Sequence, residues 1–189
     1  TRPKFIRLIE ERLEDNPKIA GCIAMLEDPE RDPLGKTIIW AHFVQDIKSI
    51  SEALTARGIK NEKYYGGVDQ DRRDKIIDEF NNDDSLRVMV MNAATGGVGL
   101  NLLGYNPHKP DESKMYCNHN IFFSQGWSSL LRRQAEDRNH RRGTRCQVRN
   151  TDLMVPGTID EEIRKKVQMK RDVADEITDL RETLRSILE

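Results

Sequence analysis

The feature that most constrains this chain is a pattern that recurs along it: a short continuous apolar run, then a helix-length segment with apolar residues three and four apart. "KTIIWAHF" leads into "VQDIKSISEALTARG", where Val44, Ile47, Ile50 and Leu54 share one helical side. "DQDRRDKIIDEFNND" turns Ile76, Ile77 and Phe80 inward and is followed by the apolar run "SLRVMVMN". "HNIFF" precedes "SSLLRRQAEDRNHRRG", while "IKNEKYYGG" and "CQVRNTDLMV" read as a weaker and a fifth strand. Apolar residues at every position suit a strand covered on both faces, and strands alternating with helices build βαβ units around a parallel sheet. The expected fold is therefore α/β, with helices on both faces of a parallel sheet.

Flanking segments complete the outline. "RPKFIRLIEERLED" has Phe5, Ile9 and Leu13 at helical spacing, and Asn16-Pro17 caps and starts a second helix through "KIAGCIAMLED". The expected organisation is N-terminal helices over residues 1–35, the sheet-bearing lobe over 36–157, and a C-terminal helix over 158–189. That last segment reads as one long helix, or two with a break near Met169 to Asp172. Ile159, Ile163, Val167, Val173, Ile177, Leu180, Leu184 and Leu188 would be its apolar side, bracing the lobe or packing on another, with a solvent-bridging or fragment-dimerising helix as the alternative. The long loop "GYNPHKPDESKMYCNHN" is expected to be a surface insertion. A helical start without methionine suggests an excised fragment.

The 189 residues include 31 Lys and Arg against 32 Asp and Glu, so a generally basic nucleic-acid coat is excluded. A local patch is not: residues 132–149 hold seven arginines against Glu136 and Asp137, a density that attracts phosphates. No apolar run approaches the roughly 18 residues of a membrane span, and no membrane partner is expected. Cys22, Cys117 and Cys146 are odd in number and widely spaced, which fits a reducing compartment. "CNHN" (Cys117, His119), with His108 and Cys146 at a distance, lacks the paired spacing of a metal site, and none is expected.

Gly35-Lys36-Thr37 is not a phosphate loop, because the first glycine position holds Glu30 and a strand follows where a helix is needed. Nor does an acidic pair close an apolar strand to hold magnesium, so the chain lacks the parts that cradle ATP by itself. "TGGVGLNL" sits at the ligand end of an apolar strand. Gly96, Gly97 and Gly99 there either let backbone N–H groups approach a phosphate or simply supply the dihedrals of a βα turn. In "RRQAEDRNHRRGT", Gln134, Arg138 and Arg141 stand four and three apart, one narrow stripe if the segment is helical. Pairing of Asp137 with Arg133 and Arg141 accounts for part of that charge but not for the shared face.

In order, "KTIIWAHFVQDIKSI", "YYGGVDQDRRDKIIDEFNND", "VMNAATGGVGLNL", "NIFFSQGWSSLLRRQAEDRNHRRGT" and "VPGTIDEEI" resemble the successive motifs of the C-terminal RecA-like lobe of Swi/Snf-type superfamily 2 ATPases. The resemblance covers roughly residues 36–166, and its wording is similar to short phage or bacterial members. It implies a RecA-like three-layer fold and, in an intact two-lobed protein, a DNA-dependent ATPase of translocase or helicase type, this half alone being inactive.

By that resemblance, Arg138 and Arg141 are arginine fingers for ATP held with Mg mainly by a missing N-terminal lobe, and Asp137 orients them. Gly97, Gly99 and Gln134 belong to the nucleotide side. His42, Phe43, Gly66, Thr95, Gly96 and the segment around Gln125 and Trp127 lie along a double-stranded DNA track contacted mainly through phosphates. His42 equally fits a packed or solvated strand end, and Trp127 a core or hinge aromatic. Two departures stand out: Asn92 and Ala93 replace the usual Ser or Thr, and Thr144 replaces a final Gln. The implied location is intracellular, in the cytoplasm or nucleoid of a bacterium or phage host. A different class remains open: a non-catalytic RecA-like module that binds nucleic acid or protein and never meets an ATPase lobe.

Overall fold

The computed structural model describes residues 16–95, 100–109, 113–124, 126–141 and 143–188, the side chains of Asp175 and of 179–188 excepted. The expected first helix, with Phe5, Ile9 and Leu13, lies outside the described residues. Five strands form one sheet: β1 (Gly35–Trp40), β2 (Asn61–Tyr64), β3 (Val88–Met91), β4 (Tyr116–Phe122) and β5 (Arg149–Asp152). All are parallel, in the order β2-β3-β1-β4-β5. The helices are α1 (Pro17–Glu27), α2 (Val44–Ala56), α3 (Gln70–Asn82), α4 (Ser129–Glu136) and α5 (Ile159–Leu188).

Alternation along the central strands sorts side chains into two cores, one on each face. Ile39 and Ala41 join Ile19, Cys22, Ile47 and Ile50 under α1 and α2, with Val88 and Val90 on the same side. Ile38, Trp40, Met89 and Met91 face the other way, onto Ile76 and Phe80 of α3 and Ala135 of α4. The result is the expected three-layer RecA-like α/β fold. Asn16 caps α1 through a 2.9 Å bond from the Lys18 amide. Gly58 follows α2 in the left-handed region at φ 71°, as a helix stop requires.

Lys36 explains why its glycine-lysine-threonine run is not a phosphate loop. Its side chain is buried, and Nζ donates to the Phe80 carbonyl at 2.6 Å and the Asp83 carbonyl at 2.9 Å. The ammonium thus satisfies carbonyls at the end of α3 instead of an anion.

Three expectations are corrected. β4 starts at Tyr116, so the last part of the expected surface loop is buried strand. Between Lys36 and Thr37 the partners jump from Cys117 to His119, leaving Asn118 as a bulge. That extra residue turns Cys117 into the α3 and α4 core while Ile121 faces the other. Gly104, at φ 76°, makes room for this strand: a Cβ there would lie 2.6 Å from the Cys117 amide nitrogen.

α5 runs unbroken, so the two-helix alternative with a break near Met169 to Asp172 does not hold. Val167 is buried, but Ile159, Val173 and Ile177 are exposed. Finally, α4 stops at Glu136, so Arg138 and Arg141 do not share a helical stripe with Gln134. They lie in the turns that follow.

Candidate nucleotide and nucleic-acid edge

The strand register makes one working edge. Tyr64 pairs with Met91, Met91 with Trp40, Trp40 with Phe122, and Phe122 with Asp152, so all five strands end in a single row. From the adjacent β1 and β4 the chain leaves in opposite directions, toward β2 and toward β5. That divergence opens a crevice at their carboxyl ends, the usual ligand position in such sheets. A cleft of about 40 Å³ lies there, lined by Trp40, His42, Asn92, Ser124, Arg132 and Ala135 among others. Pockets that enclose a small-molecule ligand run to about 300–1,000 Å³. The described residues at this edge therefore do not enclose a nucleotide unaided.

Several sequence-selected residues come off this row. His42 and Phe43 follow β1 and are exposed, their rings edge-to-face at 4.8 Å. Gly66 follows β2 and Thr95 follows β3, and a Cβ on Gly66 would stand 3.7 Å from the Thr95 hydroxyl. Trp127 is not a core residue: it is 44% exposed, with Lys166 of α5 over the ring at 5.0 Å. Gly96, Gly97, Gly99 and Gln125 lie outside the described residues. Gln134 is half-buried on α4.

Asn92, a departure from the expected hydroxyl residue, ties two of these exits together. Its Oδ1 accepts from the Ala94 amide at 2.7 Å, and its Nδ2 donates to the His42 carbonyl at 2.5 Å. The accepting half is what a serine or threonine does in a turn. The donating half is extra.

Beyond α4, the arginine segment is held to the sheet by a buried amide chain absent from the sequence expectations. Indole N–H can only donate, so Trp40 Nε1, 3.0 Å from Asn120, fixes that residue's Oδ1 toward it. Asn120 Nδ2 must then donate to Asn139 Oδ1 at 2.9 Å and Asn150 Oδ1 at 2.8 Å. Asn139 in turn donates to Cys117 Sγ at 3.3 Å. Asn120 and Asn139 are both fully buried. The Leu102 amide donates to the Arg138 carbonyl at 3.1 Å. Thr144 closes the loop, its hydroxyl lying 2.8 Å from both the Arg141 amide and the Asn139 carbonyl.

These bonds set down two guanidinium groups differently. Arg138 is only 6% exposed, and burial foremost, then the neighbouring Arg141, lowers its pKa from the ordinary value, with Asp137 and Tyr64 acting the other way. Arg141 is exposed and donates from Nη1 to the Leu100 carbonyl at 3.1 Å, beside the segment that follows β3. So the two are electrostatic neighbours at the carboxyl edge, near the end of β2 and the chain leaving β3. Two neighbouring cations of this kind gain from any negative charge brought against both.

Among the described residues, no group of three or more His, Cys, Asp or Glu could hold a metal ion, and no helix is long and apolar enough to cross a membrane. Cys117 and His119 are divided by the bulge: the thiol accepts from Asn139, and His119 Nε2 lies 2.9 Å from the Thr151 hydroxyl.

The parallel RecA-like lobe, with its arginine segment at the carboxyl edge, is similar to the C-terminal lobe of Swi/Snf-type ATPases. Residues 17–106 match the family model described as the helicase conserved C-terminal domain. It is 26% identical over 184 residues to the DNA repair and recombination protein RAD54B of Gallus gallus, covering 97% of this chain and 18% of that protein. An ATP-dependent helicase of Schizosaccharomyces pombe is 28% identical over 152 residues, 80% of this chain and 14% of its own length. The crystal structure of the C-terminal part of the Fun30 ATPase domain superposes with a TM-score of 0.68 at 26% identity, covering 79% of this chain and 45% of that one. The chain thus spans less than a fifth of these two curated relatives. They are eukaryotic and give no support to the expected bacterial or phage origin.

Proposed function

We propose that this chain is the C-terminal half of an ATP-dependent DNA translocase or helicase. A second, N-terminal lobe holds ATP and Mg²⁺, and the carboxyl edge described above closes on it. Arg138 and Arg141 then act as arginine fingers on charge developing at the transferred phosphoryl group, with Gln134, Gly97 and Gly99 on the nucleotide side. His42, Phe43, Gly66, Thr95, Gly96 and Trp127 follow the duplex through its phosphates. Opening and closing of the cleft between lobes moves the pair along one strand. Residues 36–157 serve as the motor lobe, with residues 1–35 leading into it and 158–189 bracing it. Location in a compartment holding both ATP and DNA follows from the same reading.

The observation that carries it is the pair of adjacent guanidinium groups at the row of strand ends, one buried at a desolvation cost and one exposed. The matched helicase domain and the DNA repair and recombination relatives support the same assignment.

The test uses the longer, two-lobed protein that this reading requires. Arg138→Ala and Arg141→Ala should each lower DNA-stimulated ATP turnover by about 10³-fold or more, with duplex affinity within a few-fold of the parent. Arg138→Lys keeps the charge but loses the planar fork, and should stay close to the alanine variant. Turnover unchanged in both alanine variants removes the finger assignment.

A further inference from the structure

The short helix α4 ends two residues before Arg138, and its last residue is held by two cations. Arg132 Nε donates to Glu136 Oε1 at 2.6 Å, and Arg171 Nη2 of α5 donates to Glu136 Oε2 at 2.5 Å. Arg132 also pairs with Asp152 at the end of β5, and its guanidinium lies 3.3 Å from the centroid of the Phe122 ring at the end of β4. Arg164 of α5 reaches Asp152 Oδ2 at 3.7 Å. These side chains are mostly withdrawn from water, Arg132 at 11%, Asp152 at 16%, Glu136 at 17% and Arg171 at 23% exposure. At that burial an ion pair is less screened than a surface pair, and its geometry matters more.

The rest of the α5 contact is equally polar. Lys18 pairs with Asp160 at 2.5 Å, and Lys170 Nζ donates to the Trp127 carbonyl at 2.8 Å. Val167 is the buried apolar residue of α5 among those described. Among the described side chains of α5, these charged contacts accompany the burial of Val167. The charge at Arg171 meets the chain immediately before the Arg138 turn.

We propose that Arg171 is a positioning residue for the arginine segment: through Glu136 the C-terminal helix sets where α4 ends and so where Arg138 and Arg141 stand. Its bearing on catalysis rests on the finger reading above, but the positioning itself does not. Arg171 touches neither nucleotide nor DNA in this role. It fixes one end of a segment whose other end is fixed by Asn139 and Thr144.

Amide hydrogen exchange on the 189-residue chain tests the positioning without ATP. The reporters are the amides of Leu102, Arg138, Arg141 and Thr144, which bond to the Arg138 carbonyl, the Ala135 carbonyl, the Thr144 hydroxyl and the Arg141 carbonyl respectively. Arg171→Gln should speed their exchange by about tenfold, the factor that corresponds to about 1.4 kcal/mol, while amides of Ile39 and Val90 stay at the parent rate. Glu136→Gln should do the same. Arg171→Lys, which keeps the charge, should restore most of the protection and guards against a general folding defect.

In the two-lobed protein, Arg171→Gln should lower kcat about tenfold with KM for ATP little changed. Reporter amides that keep the parent rate in Arg171→Gln, with only α5 amides accelerated, would overturn the proposal. Altered exchange combined with turnover insensitive to Arg138→Ala would retain the positioning and remove the finger reading alone.

Discussion

Replacing the Asn120 side-chain amide by a carboxylic acid keeps the shape of the side chain and changes which bonds it can make. In Asn120→Asp the oxygen facing Trp40 Nε1 is retained, but the NH₂ that serves Asn139 and Asn150 becomes a second oxygen. As a carboxylate it would place unscreened charge against two acceptor oxygens at a position with no solvent exposure. The protonated form costs less, since its single O–H can serve one of the two acceptors. Holding the proton at pH 7 costs about 4 kcal/mol, from an ordinary Asp pKa of about 3.9 and about 1.4 kcal/mol per pH unit. The one acceptor left without a donor adds about 1–1.5 kcal/mol.

The folded state then binds a proton that the unfolded state has released, so this variant loses stability as pH rises. Urea unfolding should show a loss of about 5 kcal/mol at pH 7, with about 2.7 kcal/mol of it recovered at pH 5. Asn120→Leu, which has no titrating group, should show a loss that is flat over the same range. Equal losses for Asn120→Asp at the two pH values would refute the buried donor chain that holds Asn139, and with it the account of where Arg138 sits.

Two further expectations concern stability of the same fold. His119 is buried, its Nδ1 has no hydrogen-bond partner, and burial, then Arg149 and Arg31, pushes its pKa down to about 4. The unfolded chain therefore takes up a proton first, and stability should fall by about 3 kcal/mol as pH drops from about 6.5 to about 4; denaturant midpoints of His119→Gln should lack that component. Gly104→Ala meets both a positive φ and a Cβ contact of 2.6 Å with backbone, whereas Gly58→Ala meets only a positive φ with open space around it. Thermal or urea unfolding should show a loss of about 1 kcal/mol at Gly58 and clearly more, about 2–4 kcal/mol, at Gly104.

The strands were legible where burial on both faces wrote apolar residues at every position, as in "IIWA" and "VMVM". They were hidden where the interior is polar. "YCN" reads as loop ahead of the strand "HNIFF", yet the strand starts there because polar groups along it meet partners from elsewhere: Tyr116 and Asn118 bond Asp32, His119 meets Thr151, and Asn120 serves Asn139 and Asn150. Such pairings join positions up to 86 residues apart, beyond the reach of any local pattern.

The end of α4 was hidden for a related reason. From Leu130 to Arg142 there is no glycine or proline, and the residues are mostly good helix formers. What stops the helix is tertiary: Asn139 is drawn to the sheet, and the Arg138 carbonyl accepts from Leu102. The spacing of Gln134, Arg138 and Arg141 therefore assumed a helical geometry that the last two do not have.

The double grip of Asn92 has a mechanical consequence. One amide holds the carbonyl of His42 and the amide of Ala94, so the chain leaving β1 and the chain leaving β3 form a single stiff rim. A serine in its place would keep the turn after β3 but free the two exits to drift apart. Any polymer lying across His42 and Thr95 would then feel two loosely sprung supports in place of one rail with a constant gauge.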